Sequence, residues 1–177
     1  FFLSKMLRYV HILADNEKIA KLVMKFKPKS VRVIDSFLPP SFNEEILHDF
    51  IKKFKIEKKR YDLIISMVGW FSHYVIKDDY GFDITADALI KLSEKYNILL
   101  IASINGILFK QAHKDFLKKV EKSGIKDDFL LIYEDLDEIW PIYLISDVFI
   151  RPTNTDVSPR SIKEALWMGT PVVASNC

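Results

Sequence analysis

The stretch from Asp147 to Ser175, DVFIRPTNTDVSPRSIKEALWMGTPVVAS, constrains the fold of this chain more than any other. It reads as strand, loop, helix and strand in quick succession. Asp147-Val148-Phe149-Ile150 is a short apolar run with β-branched and aromatic members, the pattern of a buried strand. A polar loop containing two prolines follows. Ser158-Pro159 is a helix start: serine caps orphan N–H groups, and proline at the first helical position has no N–H to lose. Ala165 to Met168 continue the helix, Gly169 ends it, and Pro171 makes the stop firm before Val172-Val173-Ala174 returns as a strand.

The same alternation runs back through the chain. Tyr61 to Val68 is a buried strand closed by Gly69, with a loop from Trp70 to Gly81. Asp83 caps a helix to Tyr96, with Ile84, Ala88, Leu89 and Leu92 as its buried stripe. Asn97 to Ile104 is a strand with Asn105-Gly106 as a turn signal. Phe109 to Lys122 is an amphipathic helix with Phe116, Leu117 and Val120 inward and His113 on the exposed side, ended by Gly124. Phe129 to Tyr133 is a strand, and Ile139 to Ile145 a short helix with Pro141 in its first turn. Repeated strand–helix alternation predicts an α/β fold, a Rossmann-like parallel sheet with helices on both faces. Ligands in such sheets bind at the carboxyl ends of the strands. The loops at Gly69, at Tyr133 and from Pro152 to Pro159 therefore converge on one cleft.

Upstream, Arg8 to Leu13 and Ser30 to Asp35 read as strands around a helix from Glu17 to Phe26 capped by Asp15, and Pro39-Pro40 leaves this piece. His11 reads as a packing residue. Asn43 to Phe54 repeats apolar residues at helical spacing, and Lys52 to Arg60 is a basic run, a solvated face and linker by its composition.

Composition narrows the function classes. The chain has 177 residues and a formal net charge of +2, too small a bias to argue for a nucleic-acid partner. The lone cysteine, Cys177, permits no internal disulfide and fits a reducing, cytoplasmic setting. The longest apolar runs, such as Ile98 to Ile104, are too short to span a bilayer. Neither G-x-G-x-x-G nor G-x-x-x-x-G-K-[ST] occurs, which removes the usual dinucleotide and P-loop signatures. No His, Asp and Glu set has metal-ligand spacing, so no metal cofactor is expected. The first residue is Phe, so a fragment, incomplete at both ends, is expected.

The chemistry gathers at the helix after Pro159. A helix N-terminus offers unpaired N–H groups and the positive end of a dipole, and Arg160 adds a full charge: a site for phosphate. Asp156 precedes it and Glu164 lies one turn inside. Two acceptor-only carboxylates beside a phosphate cradle suit the hydroxyls of a ribose and a sugar. The plainer reading is open at this point: Asp156 as a solvated turn residue, Glu164 as an i,i+4 surface partner of Arg160.

These residues carry a resemblance. Asp147-Val148-Phe149-Ile150, Pro152-Thr153, Asp156, Glu164-Ala165 and Gly169-Thr170-Pro171-Val172-Val173-Ala174-Ser175 are similar, in register, to the donor-binding segment of the group 1 glycosyltransferases of the GT-B fold. The resemblance implies that Glu164 holds the nucleotide ribose and that Asp156, where the family usually has Glu, faces the donor sugar. The family commonly has Gly-Phe-Gly-Leu after the first acid; this chain has Val157-Ser158-Pro159-Arg160. Pro159 has no N–H, so the cradle rests on the N–H groups of Arg160 and Ser161. The basic pair that the family places after the Gly69 turn is absent in register, with Lys77 the nearest substitute. The loop at Tyr133 would sit beside the base. Asp135-Leu136-Asp137 looks like a metal-binding Asp-x-Asp motif, but here it falls where a short helix begins, and acids there suit the dipole.

The resemblance assigns residues 1–38 to the tail of an acceptor domain, 39–60 to a linker and short helix, and 61–177 to the nucleotide-sugar-binding domain. It implies a retaining, metal-free hexosyltransferase with a nucleotide-diphosphate sugar as donor and a saccharide or lipid-linked acceptor, as in polysaccharide synthesis. A weak peripheral contact at the inner face of the membrane follows by analogy. By itself this fragment is expected to be inactive. The competing readings are a non-catalytic nucleotide-binding regulatory module of the same fold and a flavodoxin-like receiver; the receiver needs an acidic cluster at the first strand's end, where Ser66-Met67-Val68-Gly69 has none.

Overall fold

A computed structural model describes residues 5–34, 37–71, 78–123, 128–154 and 159–176. Contacts divide the chain into two compact units, Phe1–Leu38 and Pro39–Cys177.

In the first unit, β1 (His11–Ala14) and β2 (Ser30–Val33) pair in parallel across helix α1 (Glu17–Met24). The expected strand from Arg8 begins later, because Leu7–Tyr9 is a turn of 3-10 helix. The cap of α1 is Asn16 rather than Asp15: its side chain accepts from the Ile19 N–H at 2.9 Å. His11 is tied through Nδ1 to Ser30 Oγ at 2.7 Å, joining the two strands.

The second unit contains α2 (Glu44–Phe54), β3 (Leu63–Phe71), α3 (Phe82–Leu92), β4 (Ile98–Ile107), α4 (Lys110–Ser123), β5 (Phe129–Ile132), α5 (Trp140–Ile145), β6 (Val148–Arg151), α6 (Arg160–Trp167) and β7 (Val172–Ala174). Its five strands are all parallel, in the order β5-β4-β3-β6-β7. The chain steps outward from β3 through β4 to β5, then returns to the other side of β3 for β6 and β7. This is the α/β, Rossmann-like sheet that the alternation predicts.

Strand side chains alternate between faces. Ile65 and Met67 of β3 join Leu100, Ala102 and Ile104 of β4 under α3 and α4. Ile64, Leu99, Ile101 and Ile132 face the other way, against Phe50 of α2 and Ile142 and Ile145 of α5. Both faces are covered, which is why these strands read as unbroken apolar runs. Phe71, Phe82 and Phe116 lock strand to helices, with ring centroids 4.6 to 6.0 Å apart.

Several local expectations change. β3 does not stop before Gly69, and β4 runs through Asn105-Gly106, because the two strands keep pairing as far as Phe71 and Ile107. α3 is not capped by Asp83. Asp78 takes that role, accepting from the N–H groups of Tyr80, Gly81 and Asp83. The buried face of α3 is Phe82, Thr85, Ala86 and Leu89; Ile84 is 50% exposed and Leu92 38%. His113 is half-buried rather than on an open face, held between Phe71 and Tyr133. Ser158 and Gly124, the expected helix start and stop, lie outside the described residues, as does Lys77.

Candidate functional site

The strand order reverses between β3 and β6. At such a switch point the connections leave in opposite directions and open a crevice beyond the carboxyl ends of the strands. Here the crevice holds two adjoining cavities. One, of about 340 Å³, is lined by Asp135, Tyr143, Arg160, Ser161 and Glu164 among others. The second, of about 230 Å³, is lined by Gly69, Trp70, Tyr80 and Arg151. Val68 and Asn105 line both.

The sequence-predicted residues of α6 come together. Arg160, Ser161 and Glu164 share one cavity wall. Glu164 is not an ion-pair partner of Arg160: among the described residues no such pair forms, and Tyr143 on α5 donates its hydroxyl to Glu164 Oε2 at 3.1 Å. Tyr143 is fully buried. Burial, and then the negative charge of Glu164, push its pKa up, so it remains a proton donor throughout the working range. Its backbone carbonyl accepts from Thr170 Oγ1 at 2.7 Å, which ties α5 to the turn after α6. Asp156 lies outside the described residues.

Gly69 serves a different purpose from the expected turn. It is a strand residue, and a Cβ there would meet the Tyr80 ring at 2.6 Å. The missing side chain makes room for Tyr80. Tyr133 follows β5, but it does not line either cavity of the crevice; its hydroxyl is 3.0 Å from His113 Nε2. Burial lowers the His113 pKa and raises that of Tyr133, so their contact is one of neutral groups. Of the Asp-x-Asp pair, Asp135 lines the cavity with Glu164 and Asp137 does not. Among the described residues no group of three potential metal ligands gathers.

Three residues of the crevice escape sequence reasoning: Tyr80, Tyr143 and Arg151. Arg151 ends β6, with Nη1 donating to the Val68 carbonyl at 2.9 Å and the guanidinium 4.6 Å from the centre of the Tyr80 ring. Its only sequence signal was its place before Pro152 in the strand's last position. Below it, the loops after β3 and β6 are clasped. Asn154 N–H donates to the Asp79 carbonyl and its side-chain amide to the Asp78 carbonyl, both at 3.0 Å. Ser175, the last residue of the motif after α6, donates through Oγ to the Thr153 carbonyl.

No protein-family profile matches the chain, and no curated protein matches it. Solved structures do. A glycosyltransferase from Rickettsia africae is similar at a TM-score of 0.72 and 16% identity, over 97% of this chain and 45% of that one. Anabaena Alr3699/HepE, in complex with UDP and glucose, matches at 0.66 and 16% over 92% and 43%. The C-terminal domain of a glycosyl transferase group 1 family protein, LpcC, from Francisella tularensis matches at 0.57 and 18%, over 78% and 67%. The fold is therefore that of the C-terminal, Rossmann-like half of GT-B glycosyltransferases. The chain spans less than half the length of the first two structures.

Proposed function

We propose that this chain is the donor-binding half of a GT-B glycosyltransferase, which moves a sugar from a nucleotide-diphosphate donor to an acceptor hydroxyl. The observation that carries the reading is the common wall of Arg160, Ser161 and Glu164 in the switch-point crevice, with Glu164 held by Tyr143. Glu164 would accept from the ribose hydroxyls. The N–H groups of Arg160 and Ser161, at the start of α6, would meet the diphosphate and stabilise it as it leaves. Asp156 would face the donor sugar, and the base would lie toward the Tyr133 loop. The reaction would be a metal-free hexosyl transfer with retention at the anomeric carbon, and the acceptor a saccharide or lipid-linked saccharide. For a lipid-linked acceptor the basic run Lys52 to Arg60 would be the surface nearest an anionic, inner-face membrane.

Catalysis needs donor and acceptor held in line and water excluded. The chain matches under half of its larger neighbours, which supports binding without transfer by this chain alone. Titration with UDP, GDP and ADP, beside a sugar-transfer assay on the same sample, tests this. The expected result is binding at micromolar to millimolar Kd, about −4 to −8 kcal/mol, without turnover. Absence of binding at millimolar nucleotide would reject the reading.

A further inference from the structure

We propose that Arg151 is the residue that grips the donor's diphosphate at the β3–β6 switch point, with Tyr80 fixing its guanidinium for that role. The proposal rests on the donor-binding reading above and assigns a residue to it that no motif marks.

The geometry is that of a pre-set cation. Arg151 leaves the last position of β6 and reaches across to β3, where its Nη1 donates to the Val68 carbonyl. That bond sets the direction of the fork. The Tyr80 ring beneath it, 4.6 Å away, sets the plane. Tyr80 is itself seated by the bare backbone of Gly69. An arginine held in direction and plane loses little further freedom when it takes an anion, and its five N–H donors allow a carbonyl and a phosphate to be served together.

Charge points the same way. A nucleotide diphosphate brings at least two negative charges into the crevice. Among the described residues lining its two cavities, the cations are Arg160 and Arg151, one in each cavity. Asp135 and Glu164 line the first cavity and oppose an anion there. Among the described residues, those lining the second cavity, around Gly69, Trp70 and Tyr80, include no carboxylate. Pro159, lacking an N–H, reduces what the start of α6 can offer, so a second cation has work to do. The diphosphate then spans from the start of α6 to Arg151, passing Val68 and Asn105.

The test separates phosphate from nucleoside recognition. UDP and uridine, GDP and guanosine, and ADP and adenosine are titrated against wild type, Arg151→Gln, Arg151→Lys, Tyr80→Leu and Glu164→Ala, with thermal melts as a fold control. For the diphosphate that wild type binds best, Arg151→Gln is expected to weaken binding about tenfold to a hundredfold, the worth of a charge-assisted hydrogen bond. The matching nucleoside should stay within about twofold, since it lacks the phosphates. Arg151→Lys keeps the charge and loses the fork, so it should fall between, and it decides the matter if the glutamine variant does not fold. Tyr80→Leu should weaken the diphosphate about threefold and leave the nucleoside unchanged, by loss of the stacking plane. Unchanged diphosphate affinity in the arginine variants would overturn the proposal. So would equal losses for diphosphate and nucleoside, which would make Arg151 a purely structural tie. If wild type binds none of the nucleotides, the donor-binding reading falls as well. If Glu164→Ala loses binding and the arginine variants do not, the assignment of Arg151 falls alone.

Discussion

A single buried hydroxyl decides how Glu164 can be used. Tyr143 donates to one carboxylate oxygen, so the group is oriented before any ligand arrives. Tyr143→Phe removes that bond while keeping the ring packed on Phe149. The expected effect is about a three- to tenfold loss of nucleotide affinity, and a reduced preference for ribo- over 2′-deoxyribonucleotide, measured by calorimetry. Glu164→Ala should lose more affinity than Tyr143→Phe with little change in melting temperature; equal affinity to wild type would return Glu164 to the surface-residue reading. Asp78 carries a pH dependence of its own. Burial is the largest cause, with Asp83 nearby, of a pKa raised from 3.8 to about 6. The folded state thus holds this proton more tightly than the unfolded chain, so its contribution to stability is full below pH 3.8 and lost as pH rises through about 6. Asp78→Asn should flatten the fall in melting temperature between pH 4 and pH 7, about the span of that shift.

At the scale of elements, two glycines mark what holds loops to helices. Gly81 immediately precedes α3 at φ +74°, and a Cβ there would meet the Pro152 carbonyl oxygen at 2.3 Å. Gly169 follows α6 at φ +80° with open space around it. Gly169→Ala should cost about 1 kcal/mol, the left-handed backbone alone. Gly81→Ala adds a clash with the backbone of the clasped loop, so it should cost more than about 2 kcal/mol and also weaken nucleotide binding. Urea unfolding of both variants checks the order; equal losses would mean that the Pro152 contact yields easily. Asp83 lies inside α3, so its N–H is itself an orphan of the first turn and goes to the Asp78 carboxylate, while the Asp78 carbonyl receives Asn154.

The whole molecule sets the place where these devices act. The return from β5 to β6 puts the ends of β3 and β6 side by side, so Val68, Asn105, Arg151 and Glu164 share one crevice. A chelator should leave nucleotide affinity unchanged; a loss of binding in its presence would revive Asp135 and Asp137 as metal ligands. Local chemistry made much of this readable in advance. Val148 to Ala174 announces strand, helix and strand by β-branched runs, a proline start and a glycine stop, all short-range effects, and the structure follows them closely. The alternation carried the sheet class for the same reason. What could not be read depends on neighbours far apart in the chain. The length of β3 beyond Gly69 is set by pairing with β4; the exposure of Ile84 is set by which side of α3 meets the sheet. Gly69 looks like a turn until Tyr80 fills the space above it, and Arg151 is only a polar strand end until β6 lies beside β3 and brings the Val68 carbonyl within 2.9 Å. Periodicity reports which face of an element is apolar, but only packing brings a strand end, a ring and a carbonyl to the same point.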